Sequence, residues 1–117
     1  AEPAAADFGR WLDDARAVLS APALAAFFDA ARYRRAWNEV PVAADGAAGV
    51  IDRLVDDGTT LWVLDYKTHS RPQPAELLAR YRPQLAAYAA AISAAWPGRP
   101  VRAGLVLTAT RIFAPLD

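Results

Sequence analysis

The chain has no cysteine and no methionine, a single lysine, a single histidine, and no excess of either charge: 13 Lys+Arg stand against 13 Asp+Glu in 117 residues. Each absence excludes something. Without thiols there is no disulfide framework, no thiolate zinc centre and no cysteine-held iron–sulfur cluster, so any metal must sit on oxygen or imidazole ligands. Zero net charge removes the simplest argument for nucleic-acid binding, because a free-standing DNA binder carries a basic excess that displaces phosphate counterions. If DNA is the substrate, another part must hold it. No apolar run approaches the roughly 20 residues that cross a bilayer, and the opening Ala1-Glu2-Pro3 lacks the basic-then-apolar pattern of an export signal. These features predict a soluble, cytoplasmic protein with no membrane partner. The absent initiator methionine predicts a piece of a longer polypeptide.

What is present is apolar but small. The hydrophobic fraction is 55%, yet 29 of those residues are Ala, which leaves 35 larger apolar side chains. That supports one compact domain over 1–117 with a thin core. Asp7 to Leu19 places Phe8, Trp11, Leu12, Ala15 and Leu19 at helical spacing. Ser20 is the candidate cap of a second helix, with Pro22 in its first turn, Leu24, Phe27 and Phe28 as its stripe, and an end near Arg32. Ala36 to Val42 then reads as a strand whose Pro41 argues for an edge position or a bulge. Ala43-Ala44-Asp45-Gly46 turns the chain into a second strand, Gly49 to Val55, and Asp56-Asp57-Gly58 turns it into a third, Thr60 to Thr68. The three should form an antiparallel meander. After the punctuation Arg71-Pro72-Gln73-Pro74, Ala75 to Trp96 is helical, with Leu78, Tyr81, Leu85, Ile92 and Trp96 on the buried side and a kink or a fresh start expected at Pro83. Val101 to Thr108 is a further strand and Arg111 to Pro115 a candidate last one. The order ααβββαβ(β) predicts an α/β fold with one mixed central sheet flanked by helices.

Several residues resist a purely structural account. Asp52 interrupts the otherwise apolar Gly49-Val50-Ile51-Asp52-Arg53-Leu54-Val55. Burying a lone carboxylate costs several kcal/mol unless a cation or hydrogen-bond donors compensate, on the order of charge-transfer penalties. Either an arginine or something else must neutralise it. On the third strand, alternation puts Leu61, Val63, Asp65 and Lys67 on one side, so an acid and a base project together near its end. Lys67 is also the only lysine beside 12 arginines. Where a generic positive charge would do, this composition uses guanidinium. The retained ammonium is a compact point charge able to approach a phosphate oxygen or an attacking water, which suggests a chemical reason for it.

On the long helix, Glu76, Arg80, Gln84 and Tyr88 follow one another at four-residue intervals and form a ridge. Without an acidic cluster nearby it would be a solvated stripe. Glu39 follows Asn38 on the first strand and ranks below Asp52 and Asp65. His69, just past Lys67, reads as a solvated loop residue and not as a ligand. Trp11, Trp37, Trp62 and Trp96 are spread over separate elements, which suits core packing better than a base-stacking platform.

In chain order, Glu39, then Gly49-Val50-Ile51-Asp52-Arg53-Leu54, then Leu64-Asp65-Tyr66-Lys67-Thr68, then Tyr81-Arg82-Pro83-Gln84-Leu85-Ala86-Ala87-Tyr88 resembles the PD-(D/E)xK nuclease superfamily. Within it, the similarity is to the RecB/AddA-type nuclease domain at the C-terminus of UvrD-like helicase–nuclease subunits, and it covers about residues 36–107. The resemblance implies a restriction-endonuclease-like core. It implies that Asp52 and Asp65 ligate Mg²⁺, or Mn²⁺ in its place, helped by the Tyr66 carbonyl. Hard cations do prefer such oxygen ligands, and a loosely held Mg²⁺ keeps waters that serve hydrolysis. Lys67 would orient the water or stabilise the transition state, Gln84 and Tyr88 would support the site or the DNA, and Glu39 matches the family's acidic position loosely. The implied activity is that of a deoxyribonuclease, an exonuclease of DNA repair and recombination. Its implied partners are DNA, helicase domains of the same polypeptide and a second helicase–nuclease subunit.

One feature departs from that pattern. Members usually carry a histidine on a helix upstream of the first strand as a further metal ligand, and no residue before Tyr33 is histidine. Either the chain starts downstream of that helix or the site is incomplete. The second case describes a nuclease-like domain that docks DNA or a subunit without cutting. A third reading, a helper domain in which Asp52 is merely paired with an arginine, predicts Asp52 and Asp65 far apart.

Overall fold

The computed structural model describes residues 5–44, 46–68 and 73–116. His69, Arg71, Pro72 and the turn residue Asp45 lie outside them, as do the side chains of Phe8 and Trp11. A first helix, α1 (Ala5–Ser20), leads through a 3₁₀ turn (Pro22–Leu24) into one turn of helix, α2 (Ala25–Phe28). Strands β1 (Arg35–Ala44), β2 (Ala47–Asp56) and β3 (Leu61–Lys67) follow, then the long helix α3 (Pro74–Ala95), and finally β4 (Val101–Leu107) and β5 (Ile112–Pro115). The sheet order is β1-β2-β3-β4-β5, and all neighbours are antiparallel except β3 and β4. A parallel pair needs a crossover, and α3 supplies it. The fold is the expected mixed α/β sheet flanked by helices, an arrangement consistent with a restriction-endonuclease-like core.

Alternation along β3 separates two cores. Leu61 and Val63 face α3 with Ile51, Leu54, Leu85, Ile92 and Leu105. Trp62, Leu64 and Tyr66 face the other way, against Val18, Leu24, Phe27, Val55 and Val106. The helices thus cover opposite faces of one sheet, as two-sided α/β layering requires. Among the described residues no helix is long and apolar enough to cross a membrane.

Three local expectations change. The second helix stops at Phe28 instead of reaching Arg32, because Asp29 turns extended and its side chain accepts a hydrogen bond from the Ala31 N–H at 3.0 Å. An aspartate that satisfies the backbone locally competes with helix propagation. Ser20 does not cap that helix either: it ends α1, and its hydroxyl donates back to the Arg16 carbonyl at 2.8 Å. Helix α3 makes no fresh start at Pro83 but runs on through it, where both the proline and Ala79, whose carbonyl loses its donor, are exposed to solvent. The tryptophans also divide. Trp62 packs with Phe27 and Phe113, whereas Trp37 and Trp96 are 37% and 42% exposed and face each other across 6.4 Å, outside either core.

Candidate functional site

The site begins where regular pairing fails. β2 and β3 pair from Asp56–Leu61 up to Arg53–Leu64 and no further. On the other side of β2, Glu39 and Asp52 occupy opposing positions between the Asn38–Arg53 and Val40–Ile51 pairs, yet form no pair themselves. Glu39 has a φ of 54°, a left-handed conformation that costs a non-glycine residue about 1 kcal/mol or more. The sheet therefore opens on both sides of Asp52.

The Asp52 side chain fills that opening. Its Oδ2 accepts a hydrogen bond from the Tyr66 backbone N–H at 2.8 Å, which replaces the lost strand-to-strand bond by a carboxylate. In a strand the N–H and C=O of one residue point to the same side, so the Tyr66 carbonyl also opens toward Asp52. No arginine pairs with Asp52 among the described residues. Arg53 next to it turns to the opposite face, where it donates to the Phe27 carbonyl (3.0 Å), Asn38 Oδ1 (2.8 Å) and the Tyr33 hydroxyl (3.3 Å), with Phe28 and Tyr33 rings near its guanidinium. It locks the last regular rung, Asn38–Arg53, beside the gap.

Asp65 lies on the α3 face and is 7% exposed. Its Oδ2 is buried and forms an ion pair with Lys67 Nζ at 2.9 Å, with no backbone N–H or arginine among the described residues to complete its shell. Burial first, and then contact with the Asp52 carboxyl, push its pKa up to about 6 against the pull of Lys67. Asp52 and Asp65 are therefore neighbours in space, not far apart as the helper-domain reading expects. Beyond this pair the Tyr66 phenol, buried against Phe28, is pushed up to about 12 by desolvation and stays neutral.

The remaining expected residues are placed as follows. Lys67 joins the two acids, and its Nζ lies 4.0 Å from the centre of the Tyr81 ring on α3. Gln84 and Tyr88 pair with each other, Gln84 Nε2 donating to the Tyr88 hydroxyl at 3.2 Å. Tyr88 is buried in the α3-side core and lies against the Gly49 backbone on β2: a Cβ there would come within 2.7 Å of its hydroxyl. Glu39 is exposed, and no third Asp, Glu, His or Cys joins the carboxylate pair among the described residues. Tyr81 and Arg53 are the side chains that sequence reasoning did not assign to the site. Tyr81 stood in the quoted helix motif, but only the return of α3 across the sheet puts its ring over Lys67.

The donor set suits a hard divalent cation. Two carboxylates of like charge meet at one place with a single ammonium, and a backbone carbonyl opens beside them. Mg²⁺ is commonly held by one or two carboxylates with water completing its shell, so a third acidic side chain is not required. A mixed sheet crossed by one long helix, with an acid pair and a lysine where two central strands part, is consistent with a restriction-endonuclease-like core. The chain belongs to the PD-(D/E)XK nuclease superfamily, which it matches over residues 1–114. It is also 32% identical over 69 residues to an ATP-dependent helicase/nuclease subunit of Lactiplantibacillus plantarum. That match covers 59% of this chain and 6% of the relative's length.

Proposed function

We propose that this domain hydrolyses DNA phosphodiester bonds with Mg²⁺ held by Asp52, Asp65 and the Tyr66 carbonyl, acting as the exonuclease module of a longer helicase–nuclease. The observation that carries the reading is the buried Asp65 carboxyl beside a second carboxylate and the only lysine. A bound Mg²⁺ supplies charge neutralisation at the scissile phosphate and an acidified water. The protein's own groups do the rest. Asp52 and Asp65 fix the position of the reacting phosphate through the charge they hold, and the Tyr66 N–H keeps Asp52 from rotating away. Lys67, a compact cation 2.9 Å from Asp65, orients the attacking water or neutralises the charge that builds on the phosphate oxygens. Gln84 and Tyr88 support the site from α3, with Tyr88 braced on Gly49. Glu39 holds the strained backbone at the strand opening.

Residues 1–117 form one domain of a larger polypeptide in this reading. The helicase domains of that polypeptide, and a second subunit, hold the DNA that a chain of zero net charge does not attract by itself. The kinship with a helicase/nuclease subunit supports this context.

End-labelled DNA incubated with Mg²⁺ or Mn²⁺, with Asp65→Ala and Lys67→Ala variants of the full-length parent, is the direct test. Loss of cutting in both variants is expected; undiminished cutting in both overturns the proposal. A second reading, a nuclease-like domain that docks DNA or a subunit without cutting, is favoured by one observation: no histidine stands before Tyr33, where the family pattern has a further metal ligand. Calorimetry that finds DNA or subunit binding but no Mn²⁺ binding would select it.

A further inference from the structure

We propose that Tyr81 is a positioning residue that holds the Lys67 ammonium beside the carboxylate pair through its ring face, an inference that rests on Lys67 acting in the hydrolysis proposed above. Lys67 ends β3, and its backbone is fixed by pairing with Leu107 and by the Thr108 N–H, which donates to the Lys67 carbonyl at 3.0 Å. Its side chain is another matter. A four-carbon stem with rotatable bonds carries the charge, and fixing such a stem costs up to about 2 kcal/mol in rotamer freedom. Two groups oppose that cost: Asp65 Oδ2 at 2.9 Å and the Tyr81 ring centre at 4.0 Å.

These two partners differ in kind. Asp65 Oδ2 is the oxygen on which a divalent cation would draw, so its hold on the ammonium weakens whenever that oxygen serves another charge. The ring has no such conflict. It attracts a cation through its quadrupole and offers no lone pair to a hard metal, so the contact persists when the ion pair does not. Tyr81 is itself firmly mounted: it packs against the α3-side core, with Leu77 and Leu85 of the same helix buried to either side. The Arg80 guanidinium, 5.3 Å from the same ring centre, lies near the same aromatic group. The inference needs the ring and not the hydroxyl, since the contact is to the centroid.

Because Lys67 is the only lysine, lysine-selective ¹³C,¹⁵N labelling gives one side-chain spin system and no assignment problem. In the wild-type domain its ε-protons should be shifted upfield by the ring, without metal and in saturating Mg²⁺ alike. Y81F should keep the shift and Y81L should lose it. In a cleavage assay on the full-length parent, Y81L should lower kcat on the order of tenfold with little change in KM for DNA, and Y81F should restore it. Phe restores ring volume as well as ring face, so its rescue excludes only a role for the hydroxyl. The ring-induced shift of the Lys67 ε-protons and the loss in kcat without change in KM separate positioning from a packing defect. The wild-type spectrum carries the test even where Y81L folds poorly. Random-coil ε-proton positions in wild type, or their return to those positions on adding Mg²⁺, overturn the proposal, as does a Y81L enzyme as fast as Y81F. If K67M is inactive while Y81L is fully active, only the role of Tyr81 falls. If K67M is as active as wild type, the role of Lys67 in hydrolysis falls with it.

Discussion

Asp56 and Asp65 sit at opposite ends of the central strand pair, and each is 7% exposed, yet the fold treats them in opposite ways. Asp56 is fully provided for. Its Oδ1 accepts from Arg99 at 2.7 Å and from the Gly58 N–H at 2.9 Å, and the Arg99 bond, with the Gly58 bond behind it, holds its carboxyl below the usual value of 3.8. Asp65 has an ion pair with Lys67 and no backbone N–H or arginine among the described residues. One carboxylate is held ionised by a guanidinium and a backbone N–H, whereas the other shares its place with a second carboxylate and a single ammonium.

The comparison breaks most sharply by removing each charge in turn. Asp65→Asn should lower cleavage on the order of a thousandfold, the scale of several kcal/mol of transition-state stabilisation, while raising Tm in metal-free buffer by relieving repulsion from Asp52. Asp56→Asn should do the reverse: Tm falls by a few degrees as Arg99 loses its counter-charge, and cleavage stays close to wild type. Paired melting curves and cleavage time courses on both variants check this. A destabilised, active Asp65→Asn would show that the two carboxylates are equivalent structural groups.

The pH dependence of stability separates them next. Asp65 has a folded pKa near 6 against an ordinary 3.8, so between those values the folded state holds a proton that the unfolded chain releases. Stability without metal therefore falls as pH rises through that window, by on the order of 1–3 kcal/mol at full ionisation. Asp56 runs the other way. Its folded pKa is lowered, so its contribution is present above 3.8 and is lost as pH falls below it. Urea melts in EDTA between pH 3 and pH 7 should show an acid limb removed by Asp56→Asn and a falling limb removed by Asp65→Asn. A flat profile from pH 4 to pH 6 in wild type would contradict the environment described for Asp65.

How much of this could be read from the sequence depends on the range of the interaction. The shared face of Asp65 and Lys67 was legible, because strand alternation is local and β3 keeps it from Leu61 to Lys67. The antiparallel order β1-β2-β3 was legible from turn residues, whereas the places of β4 and β5 in the sheet were not. Asp52 was recognisable as anomalous, but its partner was not: a backbone N–H on another strand answers it only because two ladders end beside it, and no periodicity announces a missing rung. Arg53 shows the same limit. Adjacent in sequence to Asp52, it serves the opposite face of the sheet. The short α2 and the back-bonded Ser20 failed for a different reason, since small polar side chains choose between capping, turning and back-bonding by fractions of a kcal/mol. Trp37 meeting Trp96, and Tyr81 meeting Lys67, depend on where α3 crosses the sheet.

The smallest effect gives the cleanest discrimination. A ligand that binds only the folded state stabilises it by RT ln(1 + [L]/Kd), which is about 1 kcal/mol at a few times Kd. At pH 7.5 Asp65 is ionised, its repulsion with Asp52 is at its largest, and a divalent cation has most to relieve. Mg²⁺ should therefore raise the Tm of wild type by a few degrees. At pH 5, where Asp65 holds its proton, the same Mg²⁺ concentration should do much less, because the proton and the cation compete for one carboxylate. Asp56→Asn should keep this pH-dependent increment on its lowered baseline, and Asp65→Asn should abolish it. If Mg²⁺ raised Tm equally at both pH values and in both variants, the ion would be acting on the surface at large, and the Asp52–Asp65–Lys67 cluster would have to be read as a structural ion pair rather than a seat for a cation.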